Sequence, residues 1–220
     1  MRMAFEVLDE HEQGELVRKW VQSNAMSIAI GVVVGLLLIF GYQQWKAREL
    51  RTLSEAAVQY SAFTEAVDAK RNEDAAKIAE TLRKEYPKTA FATMTALRQA
   101  AVQVEKGDLA AASADLDWAS QAAGDDAMKS LIALRQARLS LAKGEAEAAL
   151  TKLDQVAKAN FPAQASELRG DALAKLGRIE DARSAYAEAL THMDEQAPER
   201  AFIEMKQGGL SPAAAEPKKS

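Results

Sequence analysis

No cysteine occurs in the 220 residues, which excludes disulfide staples, thiolate metal sites and cysteine nucleophiles while leaving the redox compartment open. Histidine is nearly as scarce: His11 and His192 lie too far apart to form a two-histidine metal site on one helix, and each reads as a solvated side chain. With five prolines, 6% aromatic residues and an abundance of Ala, Leu, Glu, Lys, Arg and Gln, the chain favours helix throughout. An excess of positive charge is also missing. Lys and Arg number 28 against 32 Asp and Glu, a net charge of −4, so no basic field exists to attract nucleic acid. Phosphate loops, dinucleotide fingerprints and nucleophile elbows are absent. The acid pairs Asp115 with Asp117 and Asp125 with Asp126 read as solvated-face carboxylates rather than converging acid and base groups. Composition therefore points away from an enzyme, with no catalytic residue, cofactor or metal site to assign.

What the chain does have is one long uncharged run. No charged residue occurs between Lys19 and Lys46, a gap longer than a soluble amphipathic helix tolerates. The stretch "AMSIAIGVVVGLLLIFGY" (25–42) would reach about 27 Å as a helix, close to the ~30 Å hydrocarbon core of a bilayer. Trp20 on one side and Tyr42 with Trp45 on the other stand where amphipathic rings favour membrane interfaces.

A secretory signal would need a short basic leader and a small-residue cleavage site. Here the leader carries Glu6, Asp9, Glu10, Glu12 and Glu15, and "GYQQWKARE" after the run offers no such site. The run therefore reads as an uncleaved anchor. Its orientation stays open, because Arg18 and Lys19 flank one end and Lys46, Arg48 and Arg51 the other. Within it, Gly31 and Gly35 share one helix face at the spacing that permits close helix approach, although glycine is also common in membrane helices that contact only lipid.

The remainder repeats itself. "LRQAAVQVEKGDLAAASADLD" (97–117) matches "LRQARLSLAKGEAEAALTKLD" (134–154) at ten of 21 positions with a shift of 37 residues. A further copy, "LRGDALAKLGRIEDARSAYAEAL" (168–190), places Gly177 33 residues after Gly144, and a fainter one, "NEDAAKIAETLRKEYP" (72–87), precedes them without its glycine. Periods in the mid-thirties built from paired helices mark a solenoid. The pattern Gly170, Gly177, Ala182, Tyr186 and Ala189 resembles tetratricopeptide repeats, with equivalent marks at Gly107, Ala112 and Leu116 and at Gly144, Ala149 and Leu153. The physical reasons are close backbone approach at Gly170, helix termination at Gly177 and an apolar stripe on the second helix. The usual early Trp is missing, and Ala100 and Ala137 stand where a small Gly is common.

The expected organisation is all-α: an N-terminal segment (1–24) with a juxtamembrane amphipathic helix, a transmembrane helix (25–44), a tetratricopeptide-repeat-like α-solenoid (45–203) and a flexible tail (204–220). A first long helix over 45–70 has apolar residues at three and four spacing, running on from the membrane helix. Met94, Leu97, Val104, Leu131, Leu134 and Leu141 on the first helix of each unit are candidates for a partner groove or for the solenoid core. Arg98, Arg135 and Arg138 on the same helices suit either acidic partner segments or neighbouring Glu.

Taken whole, an acidic leader ending "EQGELVRKWVQSNA", the span "IGVVVGLLLIFGYQQW" and an Ala-rich repeat domain resemble the YfgM family of ancillary SecYEG translocon subunits. The most specific part is "ELVRKW" (15–20) followed by Asn24, Gly31, Gly35, Gly41 and Trp45. The resemblance implies a bacterial inner-membrane protein with a cytoplasmic N-terminus and a periplasmic repeat domain. It implies as partners the Sec translocon, a membrane-anchored prolyl-isomerase-like periplasmic chaperone and newly translocated polypeptides. The alternative expectation is a regulatory adaptor that sequesters a cytoplasmic or envelope-stress signalling factor at the membrane.

Overall fold

The computed structural model of the chain describes residues 10–156 and 159–210. Among them every regular element is helical, as the composition requires: α1 (Glu10–Asp68), α2 (Asn72–Glu85), α3 (Ala90–Glu105), α4 (Leu109–Ala122), α5 (Asp126–Ala142), α6 (Ala146–Leu153), α7 (Pro162–Lys175), α8 (Ile179–Thr191) and α9 (Pro198–Gly208). The chain divides into two units, Met1–Ser54 and Glu55–Ser220.

The first unit is the greater part of α1. Its stretch from Trp20 to Trp45 contains no buried residue, with Trp20, Leu37, Leu38 and Trp45 all more than 60% accessible. A helix that is apolar all round and buried nowhere is long and apolar enough to cross a membrane. Residues 45–54, which the sequence places with the repeat domain, bury nothing; among the described residues the first buried side chain is Ala56. The second compact unit begins at Glu55, beside that first contact.

In the second unit, a glycine with a left-handed backbone stands two residues past the end of each of α3, α5 and α7: Gly107, Gly144 and Gly177 have φ of +79°, +81° and +73°. The next residue closes the turn by donating its N–H to a carbonyl five residues back, Asp108 to Gln103, Glu145 to Ser140 and Arg178 to Leu173, each at 2.9 Å. This is a Schellman closure, which consumes carbonyls the helix end leaves free. The turn after α1 is built the same way, Arg71 donating to Ala66 at 2.8 Å, but its left-handed residue is Lys70, with φ +56°. The faint first copy thus pairs 55–68 of α1 with α2 and keeps the backbone of the glycine turn without the glycine.

Starts are marked as clearly. The side chains of Asp108 and Asp125 accept from Ala111 and Met128 N–H at 2.9 and 2.8 Å, capping α4 and α5, and Thr89 accepts from Ala92 to cap α3. Pro162 opens α7, where its missing N–H costs nothing.

The core runs as successive alanine-rich clusters between neighbouring helices. Ala56, Phe63, Ala79, Leu82 and Ala92 form the first; Ala96, Ala112, Leu116 and Ile132 the next; Leu134, Ala149, Leu153 and Leu168 the third; Leu173, Ala182, Tyr186 and Ile203 the last. Alanine at the crossings lets backbones approach, and a few large side chains in each cluster fill the gaps that remain. The last cluster requires a correction. The sequence ends the repeat domain at 203 and begins a flexible tail at 204, yet α9 continues to Gly208, with Ile203 2% exposed and Leu210 packed against the same cluster. Residues 211–220 of the expected tail lie outside the described residues.

Candidate interaction site

The repeat-packing residues fall into two physical types. Ala112, Ala149 and Ala182 are fully buried at helix crossings, and Tyr186 is buried with them. At Gly170 a Cβ would stand 2.5 Å from Tyr186 Cε1, so the ring lies directly on the α7 backbone. Gly107, Gly144 and Gly177 have open space around the position of a Cβ and act through conformation alone. Gly31 and Gly35 likewise have nothing within 4 Å.

The candidate groove residues separate. Leu134 and Leu141 point into the third core cluster and Leu131 packs against the second, so these three do not line a groove. Met94, Leu97, Arg98, Ala101 and Arg135 come together around one hollow, which Tyr60 of α1 also borders. Adjoining it is a cleft of about 320 Å³ between α3 and α5, lined by Leu97, Ala100, Ala101, Val104, Glu105, Leu116, Arg135, Arg138, Leu139 and Ala142. Leu97, Ala101 and Val104 share one face of α3 at three and four spacing, opposite Arg135, Arg138 and Ala142 on α5. The floor is apolar and the α5 rim is cationic. Tyr60 lies a whole repeat away in sequence, which is why pattern alone did not attach it to these residues.

The arginines differ in what they hold. Arg98 reaches Asp68 at 3.1 Å across two exposed side chains, a pair worth little in water. Arg135 and Arg138 are exposed and make no hydrogen bond or ion pair among the described residues. Glu105 rims the same cleft but pairs with neither.

Two further polar clusters were not visible in the sequence. Asp115 is not a solvated carboxylate: it is 8% exposed and ion-paired with Arg83 of α2. The Arg83 guanidinium also donates to Gln99 at 3.3 Å and lies 5.1 Å from the centre of the Trp118 ring. At the C-terminal end, Lys206 of α9 donates to Glu167 and to both Asp171 oxygens at 2.8 Å, and Tyr186 Oη donates to Asp171 at 2.7 Å. Burial alone would pull the Lys206 ammonium down, but its bonds to Asp171 and Glu167 outweigh that and hold its pKa above the usual lysine value. Burial, then the hydrogen bond to Asp171, pushes the Tyr186 phenol well above the ordinary tyrosine range. Both clusters join helices of different repeats. Among the described residues no group of three or more His, Cys, Asp or Glu side chains is placed to hold a metal.

Paired helices closed by left-handed turns, stacked through alanine-rich crossings and preceded by a helix long enough to cross a membrane, define an α-solenoid repeat protein. The profile of the Tetratricopeptide repeat-like domain matches residues 18–212, and the chain belongs to that family. It is similar to the ancillary SecYEG translocon subunit of Haemophilus influenzae, 27% identical over 187 residues covering 85% of this chain and 91% of the relative. The ancillary SecYEG translocon subunit of Escherichia coli K12 is 29% identical over 203 residues, covering 92% of this chain and 97% of the relative.

Proposed function

We propose that this chain is a membrane-anchored, non-enzymatic accessory of the Sec translocon whose repeat domain holds polypeptide partners beside the channel. One observation carries the reading. Two relatives named as ancillary translocon subunits align over 85% and 92% of this chain, and the longer alignment leaves only 17 residues uncovered, too few to omit the apolar run at 25–42.

Anchor and solenoid have complementary physical roles in this proposal. The apolar part of α1 confines the domain to the inner membrane, and confinement raises the effective concentration of a weak binding surface toward chains leaving the channel. The N-terminal segment lies in the cytoplasm and the repeat domain in the periplasm. There the domain meets newly translocated polypeptides and a membrane-anchored prolyl-isomerase-like chaperone. Support for this orientation is the family resemblance, since the charges flanking the span balance.

A reporter active only outside the cytoplasm, fused after Ser220, tests the placement. Activity is expected. An inactive fusion whose fluorescent cytoplasmic counterpart is bright would reverse the topology and favour the sequestering adaptor.

A further inference from the structure

The cleft between α3 and α5 has a composition that selects its occupant. Its floor of Leu97, Ala101, Val104 and Leu139 is apolar, and Val104 is 43% exposed although it belongs to a helix otherwise packed into the core. Along its edge stand Arg135 and Arg138, two guanidinium groups three residues apart on one face of α5 and without a partner among the described residues. The other arginines after Ser54, Arg71, Arg83, Arg98, Arg169, Arg178, Arg183 and Arg200, each hold a carboxylate. Resting on the proposed scaffold role and deepening it, we infer that this cleft binds an extended segment of another protein in which apolar side chains alternate with carboxylates.

The chemistry follows from the two rows. An extended segment sends successive side chains to opposite sides, so apolar side chains can enter between Leu97, Val104 and Leu139 while neighbouring carboxylates meet Arg135 and Arg138. Guanidinium forks engage carboxylates bidentately, giving a directional contact that a lysine would not reproduce. Glu105 on the opposite rim disfavours a segment whose charge is acidic on both edges, which fixes the side on which the carboxylates lie. The chain's own residues 211–220 have the wrong sign for this occupant, with Glu216 set against Lys218 and Lys219.

The probe is a fluorescein-labelled peptide alternating leucine with glutamate, titrated by fluorescence anisotropy with the full chain in non-ionic detergent. A matched peptide carries glutamine in place of glutamate. Saturable binding of the acidic peptide is expected, at least about tenfold tighter than the glutamine peptide and weakening as salt is raised. Arg135→Glu and Arg138→Glu should each weaken it about fivefold or more, Arg138→Lys less, and Arg178→Glu not at all; Val104→Asp should weaken both peptides. Circular dichroism of each variant keeps folding out of the comparison. Equal affinity for the two peptides, no binding of the acidic one, or full binding by the helical Arg135→Glu and Arg138→Glu variants would overturn the proposal. So would finding that those two substitutions instead dissociate a self-associated form of the chain, which would make a second copy the occupant. Recovery of the translocon with the parent chain is scored separately, so the cleft can fail while the Sec-associated reading stands, and the reverse.

Discussion

Lys70 stands 37 residues before Gly107 and adopts the same left-handed backbone, φ +56° against +79°, within the same Schellman closure. One repeat turn is therefore made by a residue that pays for its Cβ. The left-handed region costs an ordinary L-residue about 1–2 kcal/mol that glycine does not pay, partly offset by the greater freedom glycine loses on folding. Lys70→Gly should stabilise the repeat domain by up to about 1 kcal/mol, read as a higher urea midpoint at unchanged slope. Gly144→Ala should do the opposite by a similar amount, since its strain is conformational and no neighbour stands within 4 Å to add a clash.

Gly170 and Tyr186 test contact rather than conformation. Gly170→Ala places a methyl against a ring that cannot swing aside, because its hydroxyl is held by Asp171 at 2.7 Å. Overpacking of this kind costs about 1–3 kcal/mol. Combining it with Tyr186→Leu should cost less than the sum of the two, and a double-mutant cycle of thermal unfolding measures the difference. Strict additivity would mean the contact is not there.

The α7–α8–α9 cluster sets an alkaline limit. Lys206 and Tyr186 both have folded-state pKa values above their ordinary 10.5 and 10.0, so the folded chain keeps protons that the unfolded chain gives up first. Their contribution is fully present below about pH 10 and is lost as pH rises through the folded values. Unfolding temperature should fall above pH 10 in the parent, and the fall should be shallower in Lys206→Met and in Tyr186→Phe. A parent-like alkaline slope in both variants would remove this cluster from the account.

Asp115→Ala should destabilise by about 1–3 kcal/mol, because it strands the Arg83 guanidinium in a half-buried site against Trp118. Changing Asp115 and Arg83 together to apolar residues should recover part of that loss. Chemical denaturation of the three variants checks both statements.

Much of the fold was legible because it rests on local physics. Gly107, Gly144 and Gly177 mark helix ends by a backbone requirement, and the uncharged run from Lys19 to Lys46 marks a helix that water does not suit. Extending the 37-residue shift one step back from Gly107 lands on Lys70, so the first turn was also within reach, hidden only because its residue is not the usual one. Other features depended on partners distant in sequence. Asp115 looks like any helix-surface acid until Arg83, 32 residues away, is brought against it. The stretch "QGGL" looks like the start of a tail because Ile203 and Lys206 make sense as helix residues only against α7 and α8. The cleft was half legible: the arginines and Leu97 were named from repetition, but separating Leu134 in the core from Arg135 beside it needs the helix orientation.

The central claim is association with the protein-conducting channel, and quantitative recovery tests it most directly. Membranes carrying the tagged full chain would be solubilised in mild detergent, and SecYEG measured in the affinity-purified fraction against an unrelated single-span membrane protein present at the same level. The account predicts SecYEG enriched several-fold over that control with the full chain. Recovery no higher than the control, from a chain that is intact, helical and in the membrane fraction, would contradict it.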